Sequence, residues 1–376
     1  MSIVKHELRK ILLFPALIGF VVLALVLNIA VVTTMRSSYA DFIAEASLTT
    51  GVHLGAEFNE RAAQFEPGLY ADIFRAQTAD IADVLYGYTT GYIADMAVEQ
   101  LGLGGLSEWL MRWKYEQFQH AARSRQQAGD SMTLYFAEMT FMRHQAIFNY
   151  TMGLPVFQGI TLAALIMLFS LGYENAAKTE HMVYATKTGR KISKHKLLAG
   201  VIAGLSVYAL LAAVTLTVYF ALNPMGGTWG SSVSSGFNFV IDGITARPFI
   251  TWHSFNVAQY LIASLVVSLG VVLCFTLMAY SVGLWVRNSY IGFLLIVVQN
   301  GVLFLLPFYL PIMIPGFTIT QSPIWLVLMR TMWFTDGGSN VILPHFETVG
   351  VVGSLAVLTA IGLFSAARFK RRNLVS

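Results

Sequence analysis

Charge is scarce in this chain. Only 12% of its 376 residues are Asp, Glu, Lys or Arg, about half the share of an ordinary soluble domain. Hydrophobic residues make up 56%. That balance excludes a soluble globular protein and points to lipid as the solvent. The single cysteine, Cys274, sits in an apolar run. It can form no internal disulfide and reads as small apolar filler. No G-x-x-x-x-G-K-[ST] segment occurs, which excludes nucleotide hydrolysis through a P-loop. No H-E-x-x-H occurs either, and the eight histidines are scattered outside the apolar runs. Ser206, after Gly204-Leu205, lacks the following glycine of a nucleophile motif and reads as packing. The chain therefore shows no catalytic constellation and calls for no metal or cofactor of its own.

A helix needs about 20 apolar residues to cross a bilayer core. Six stretches qualify: Phe14–Thr34, Thr151–Leu171, Leu197–Leu222, Val257–Val286, Ile291–Leu310 and Val349–Ala367. A further apolar stretch, Ile324–Phe334, is too short to span and contains Arg330, so it reads as re-entrant or interfacial. Pro307, Pro311 and Pro315 precede it and help to end the fifth span. The N-terminal run is long and lacks a clean small-residue cleavage site, so it is expected to be retained.

Orientation follows from lysine and arginine in the short loops. With the N-terminus in the cytoplasm, the inner segments hold Lys5, Arg9 and Lys10; Lys178, Lys187, Arg190, Lys191, Lys194 and Lys196; Arg287; and Arg368, Lys370, Arg371 and Arg372. The short outer loops hold only Arg247 and Arg330. Both termini are thus expected in the cytoplasm of a cell-membrane protein.

Residues 1–35 comprise a basic amphipathic helix and the first span. Val4, Leu8, Ile11 and Leu12 share one face of that helix, as suits the inner lipid surface. Residues 36–150 form a domain-sized external insertion, read as helical throughout. Ile73, Ile81, Val84 and Leu85 make one apolar stripe; Leu106, Trp109, Leu110 and Trp113 make a stronger one, whose tryptophans are expected in the core. Residues 151–376 carry the other spans, the inner loop 173–196, the re-entrant segment 312–346 and a basic tail. Gly189 is expected to stop a surface helix within the inner loop.

None of the six stretches contains Asp, Glu, Lys, Arg or His. Pumps and proton-coupled carriers usually keep such groups in the bilayer. Neutral polar residues are present instead: Asn28, Gln158, Gln259, Gln299 and Asn300. They either hydrogen-bond between helices or line a pathway. Gly200 and Gly204 form a G-x-x-x-G face on the third span, a sign of close packing. A protein of this kind that moves a solute needs energy from a partner.

The arrangement resembles the permease subunit of ABC-2 type (type V exporter-like) ABC transporters. Val4–Leu13 is similar to the family's elbow helix, and Ile324–Phe334 to its re-entrant hairpin. Gly172-Tyr173-Glu174, then Lys187-Thr188-Gly189-Arg190-Lys191 and Lys196, is similar to its coupling loop. Thr188-Gly189 stands where the family usually has a proline before the arginine. The resemblance covers most of the chain outside residues 36–148. It implies an all-α membrane protein with six spans, an elbow helix and a large extracellular helical insertion. It also implies a second permease chain and separate ATPase subunits that bind ATP and Mg. Glu174, Glu180, Lys187, Gly189 and Arg190 would meet the ATPase, and nucleic acid has no place in the scheme. The expected activity is export of a peptide, an antibiotic, a lipid-like molecule or an ion. Two other readings stay open: a membrane sensor or assembly protein that uses the external head, and a secondary carrier.

Overall fold

A computed structural model describes residues 3–79, 81–136, 140–179, 182–183, 189–242, 245–286, 288–309 and 314–371. Helix α1 (Ile3–Leu12) turns at Leu13-Phe14 into α2 (Pro15–Thr33), the first span. Pro15 opens α2 at its first position, where a missing N–H costs no helical bond. The insertion follows: α3 (Ser38–Thr50), α4 (Ala56–Ala63), α5 (Leu69–Thr78), α6 (Gly91–Leu101) and α7 (Leu106–Gln127). The chain returns through α8 (Thr140–Gln145) and a π-helical turn, Ala146–Thr151, into α9 (Gly153–Ala176), the second span. Then come α10 (Ile192–Leu222), the hairpin β1 (Phe239–Asp242) and β2 (Thr245–Pro248), α11 (Val257–Trp285), α12 (Ser289–Leu305), α13 (Ile314–Ile319), α14 (Pro323–Leu328) and α15 (Phe346–Arg371).

Six helices are long and apolar enough to cross a membrane, and they correspond to the six apolar stretches. The chain is a mostly helical, multi-pass membrane protein. Spans α9, α10, α11 and α15 form the packed centre. Spans α2 and α12 leave most of their apolar surface bare, as lipid-facing helices do. The G-x-x-x-G face closes the α9–α10 contact. A Cβ on Gly200 would meet the Met167 side chain at 2.4 Å, and one on Gly204 would meet Ala163 at 2.9 Å. Helix α1 and the last turns of α15 lie at one end of the bundle: the Trp285 indole donates to Ser365 Oγ at 2.9 Å, and α1 packs on α10. This is the terminal end. The insertion covers the other.

Several expectations need correction. The helices overshoot the apolar stretches, so Arg143, His144, Glu174, Lys194, His195, Lys196 and Glu347 occupy their end turns. The spans are free of ionisable residues at their centres only. The structure is mostly helical, in keeping with the all-α reading, and among the described residues β1 and β2 form its one small sheet. The stripe Ile73-Ile81-Val84-Leu85 is not one helix, because α5 ends at Thr78 and residues 84–87 form a turn. The face of α7 was also misread. Leu106 and Trp109 are exposed, and the buried face carries Met111, Lys114, Tyr115 and Phe118.

The insertion is not a separate ball on a stalk. Ile43, Phe58 and Phe74 belong to the same apolar core as Phe148, Tyr208 and Val271 of the bundle. A second core joins α6 and α7 to Ile250, Trp252, Phe317 and Ile342 of the loops between later spans.

Candidate functional site

At the terminal end, four charged side chains form a knot. Glu174 lies in the last turn of α9, Lys196 in the first turns of α10, and Glu7 and Lys10 on α1. Glu174 and Lys196 are in direct contact, and Lys196 also donates to the Ser170 carbonyl. Lys10 Nζ lies 2.8 Å from Glu7 and 3.5 Å from Glu174. Glu7, Glu174 and Lys196 are each at most 4% exposed. Burial opposes the charge on Lys10, but Glu7 and Glu174 outweigh it and hold its pKa above the ordinary lysine value. The knot ties α1 to both ends of the loop between the second and third spans.

That geometry changes the reading of Glu174. Its carboxylate is consumed inside the chain and is not displayed to a partner. Gly189 starts a 3-10 turn, Gly189–Lys191, that leads into α10, with φ +49° in the left-handed region where glycine carries no Cβ penalty. Arg190 takes the second position of that turn. Glu180 and Lys187 lie outside the described residues.

The intramembrane polar residues do not form one pathway. Asn28 is fully buried and donates to Gln158 Oε1 at 2.9 Å and Thr215 Oγ1 at 2.8 Å, while Gln158 donates back at 2.6 Å. This knot joins the first three spans. Gln259 does something else: with Asn256 it makes a reciprocal capping box at the start of α11. Gln299 is exposed on the bare face of α12. Asn300 is buried, donates to the Ile296 carbonyl at 2.8 Å, and borders an apolar cavity of about 370 Å³. Replacing Asn28 by Leu should cost roughly 1–2 kcal/mol, since it strands the Gln158 amide in an apolar setting and leaves Thr215 only its bond to the Leu211 carbonyl. Thermal unfolding in detergent measures this, and a variant as stable as the parent would mean the amide knot adds nothing.

Two further charged sites lie at the insertion end. Arg330 follows α14 and donates to the Asn149 carbonyl at 2.7 Å and 3.1 Å and to the Val327 carbonyl at 2.7 Å. Burial pushes its pKa down to about 10. Its guanidinium fits only because Gly153 carries no side chain; a Cβ there would come within 2.5 Å. So the segment 314–332 is pinned to the start of the second span. The second site is a clasp. Lys114 on α7 is fully buried and donates to the carbonyls of Gly338 at 2.8 Å, Val341 at 2.7 Å and Asp336 at 3.3 Å. The Asp336 carboxylate accepts from Arg247 at 2.7 Å and from the Tyr115 hydroxyl at 3.1 Å. Burial pushes the Lys114 pKa down to about 7, because its nearest partners are neutral carbonyls. Burial pushes the Asp336 carboxyl up, but Arg247 and Lys114 outweigh it and hold it below the usual carboxylate range.

Sequence reasoning missed this clasp, and the apolar pattern of α7 hid it. A lysine on the face opposite two tryptophans reads as solvated until its distant carbonyl partners are known. On the sequence alone Lys10 is one of the basic residues of an amphipathic helix, and Glu7 carries no assignment. No family model, curated protein or solved structure matches the chain.

Proposed function

We propose that this chain is the transmembrane permease subunit of an ATP-driven ABC exporter, working with a second permease chain and separate ATPase subunits. The observation that carries the reading is the buried knot of Glu7, Lys10, Glu174 and Lys196. It gears α1 and the loop ends to the second and third spans as one unit. On this reading the terminal end faces the cytoplasm, in keeping with its lysines and arginines. The loop between Ala176 and Gly189 receives the push of the closing ATPases. The close α9–α10 packing passes that push along the second span. At the far end of that span, Asn149 holds Arg330, so the hairpin 314–332 moves with it. The insertion then gates or releases the substrate at the outer face. The transported substrate is a peptide, an antibiotic, a lipid-like molecule or an ion.

The sensor reading calls for a head able to act apart from the spans. The shared core and the Lys114 clasp weigh against that. The carrier reading calls for a span broken at mid-membrane. Among the described residues, the only departure from α-helix within a candidate span before its last turns is the π-helical turn at the start of the second span.

A mild-detergent pull-down of the tagged chain, expressed with its native neighbours, tests the proposal by mass spectrometry and an ATPase assay. A stoichiometric nucleotide-binding subunit is expected. Reversing the charge of Lys187 and Arg190 to Glu should abolish its co-purification while leaving the melting temperature unchanged. A clean preparation without any ATPase, from cells that express the neighbours, would sink the exporter reading.

A further inference from the structure

We propose that a groove at the insertion end binds one anionic phospholipid of the surrounding bilayer, with its phosphate on Arg143. This inference rests on the membrane reading alone and not on the exporter proposal. The groove is an open cavity of about 520 Å³ where α2 ends and the second span begins. Met35, Ile43 and Ala146 give it an apolar wall. Tyr39 and Tyr70 stand on one side, their rings 5.5 Å apart, and the exposed Tyr150 stands on the other. Tyrosines with one apolar and one wet side are typical of the level where acyl chains give way to headgroups. The position fits, because Thr33 closes the apolar run of α2 just before Met35.

Arg143 supplies the charge. It lies in α8, half-buried, and borders the cavity. Its Nη1 donates to Asn223 Oδ1 at 3.0 Å and to the Tyr219 hydroxyl at 3.5 Å, and its guanidinium lies over the Phe136 ring at 5.5 Å. All three partners are neutral. Among the described residues no carboxylate lies within ion-pair distance of it. Asp41, next to Ala40 of the cavity lining, lies 3.8 Å from Arg36. A guanidinium has five N–H donors in a planar fork. Nε and Nη2 have no protein partner among the described residues, and a phosphate diester accepts from such a pair in parallel. The groove therefore offers a fixed cation above an apolar wall at headgroup height. A phospholipid phosphate with its acyl chains meets both halves and a free anion only the first; in a zwitterionic lipid such as phosphatidylcholine the choline cation beside the phosphate offsets much of the attraction to the guanidinium.

The π-helical turn Ala146–Thr151 lies directly beside the site. Such turns are frequent at functional positions because the extra residue re-aims the side chains around it. Here it joins α8, which carries Arg143, to the span that must run straight into the bilayer.

Native mass spectrometry of the purified full chain, titrated with phosphatidylglycerol or phosphatidylcholine of matched chain length, tests the proposal. The parent should retain one tightly held phosphatidylglycerol. Arg143→Gln should weaken that binding by about ten-fold, the loss expected for a charged hydrogen-bond pair, and weaken the already poorer phosphatidylcholine binding by much less. Ala146→Trp, which fills the groove and keeps the arginine, should also lose the lipid; it carries the test if Arg143→Gln fails to fold. Equal retention of phosphatidylglycerol by the parent and both variants would overturn the site. So would phosphatidylcholine held as tightly as phosphatidylglycerol by the parent, or complete displacement of the lipid by inorganic phosphate at matched concentration.

Discussion

Glu174→Ala is expected to lower the melting temperature of the detergent-purified chain by roughly 4–6 °C, the equivalent of about 3–5 kcal/mol. The reason is the state in which it leaves Lys196. That ammonium is 2% exposed, and Glu174 is its direct partner. Glu7 lies 4.0 Å away and is already engaged by Lys10 at 2.8 Å. Taking away the carboxylate leaves a buried cation with one distant, shared counter-charge. Breaking a buried pair from one side is far more damaging than replacing the whole pair with apolar groups. Glu174→Leu combined with Lys196→Met should therefore recover most of the loss, since Glu7 and Lys10 still pair with each other. A double-mutant cycle should return a coupling of at least about 2 kcal/mol. Strict additivity would show that the two charges do not act as a pair.

On the exporter proposal, this instability limits what a transport defect in that variant can mean. A defective Glu174→Ala protein would say little about contact with an ATPase, because the side chain faces inward. Substitutions in the loop itself, away from the knot, are the ones that report on a partner.

How much of this was legible in the sequence depends on the range over which each feature is encoded. The six spans are local: each is a run of apolar residues long enough to cross, and the structure has a helix at each one. The helix ends were less legible, because the hydropathy pattern stops at the edge of the bilayer and the hydrogen-bond ladder does not. Glu174, Lys196 and His144 thus belong to helices whose apolar runs exclude them. Gln259 was misread for a local reason. Asn256 three residues earlier is a capping-box signature, but the apolar run starting at Val257 drew attention to the span and away from its first turn. The two salt-bridge clusters were invisible for a different reason. Each brings together residues distant in sequence, and a charged residue on a helix face looks solvated until its partner is placed. Lys114 is the extreme case, since its partners are backbone carbonyls and leave no mark in the side-chain pattern.

Lys114→Met should destabilise the chain by about 3 kcal/mol or more at pH 9, and by less at pH 7. Methionine keeps the unbranched stem but removes the two N–H donors that the neutral amine offers, leaving the nearer carbonyls of Gly338 and Val341 buried without a donor, at about 1–3 kcal/mol each before relaxation. The pH dependence follows from linkage. Lys114 has a native pKa of about 7, below its ordinary 10.5. Between those values the unfolded chain binds a proton that the native chain lacks, so this site makes stability rise with pH from about 7 upward. Below pH 7 both states carry the proton and the site contributes no slope. The surrounding groups leave the window clean. Asp336, held low by Arg247 and Lys114 against its burial, titrates only at acid pH. Arg247 stays charged throughout. Tyr115 and Tyr88 are both raised by burial, so they lower stability only above about pH 10, where the unfolded phenols ionise. Melting curves between pH 7 and 9.5 should therefore climb in the parent and run flatter in Lys114→Met. Parallel curves would mean that Lys114 stays charged in the native protein, with Asp336 compensating for its burial. A flatter variant curve would make the clasp a neutral amine at alkaline pH and a buried cation near pH 7. The hold of the insertion on the loop 336–341 would then weaken as the surrounding medium acidifies, without any change in the spans themselves.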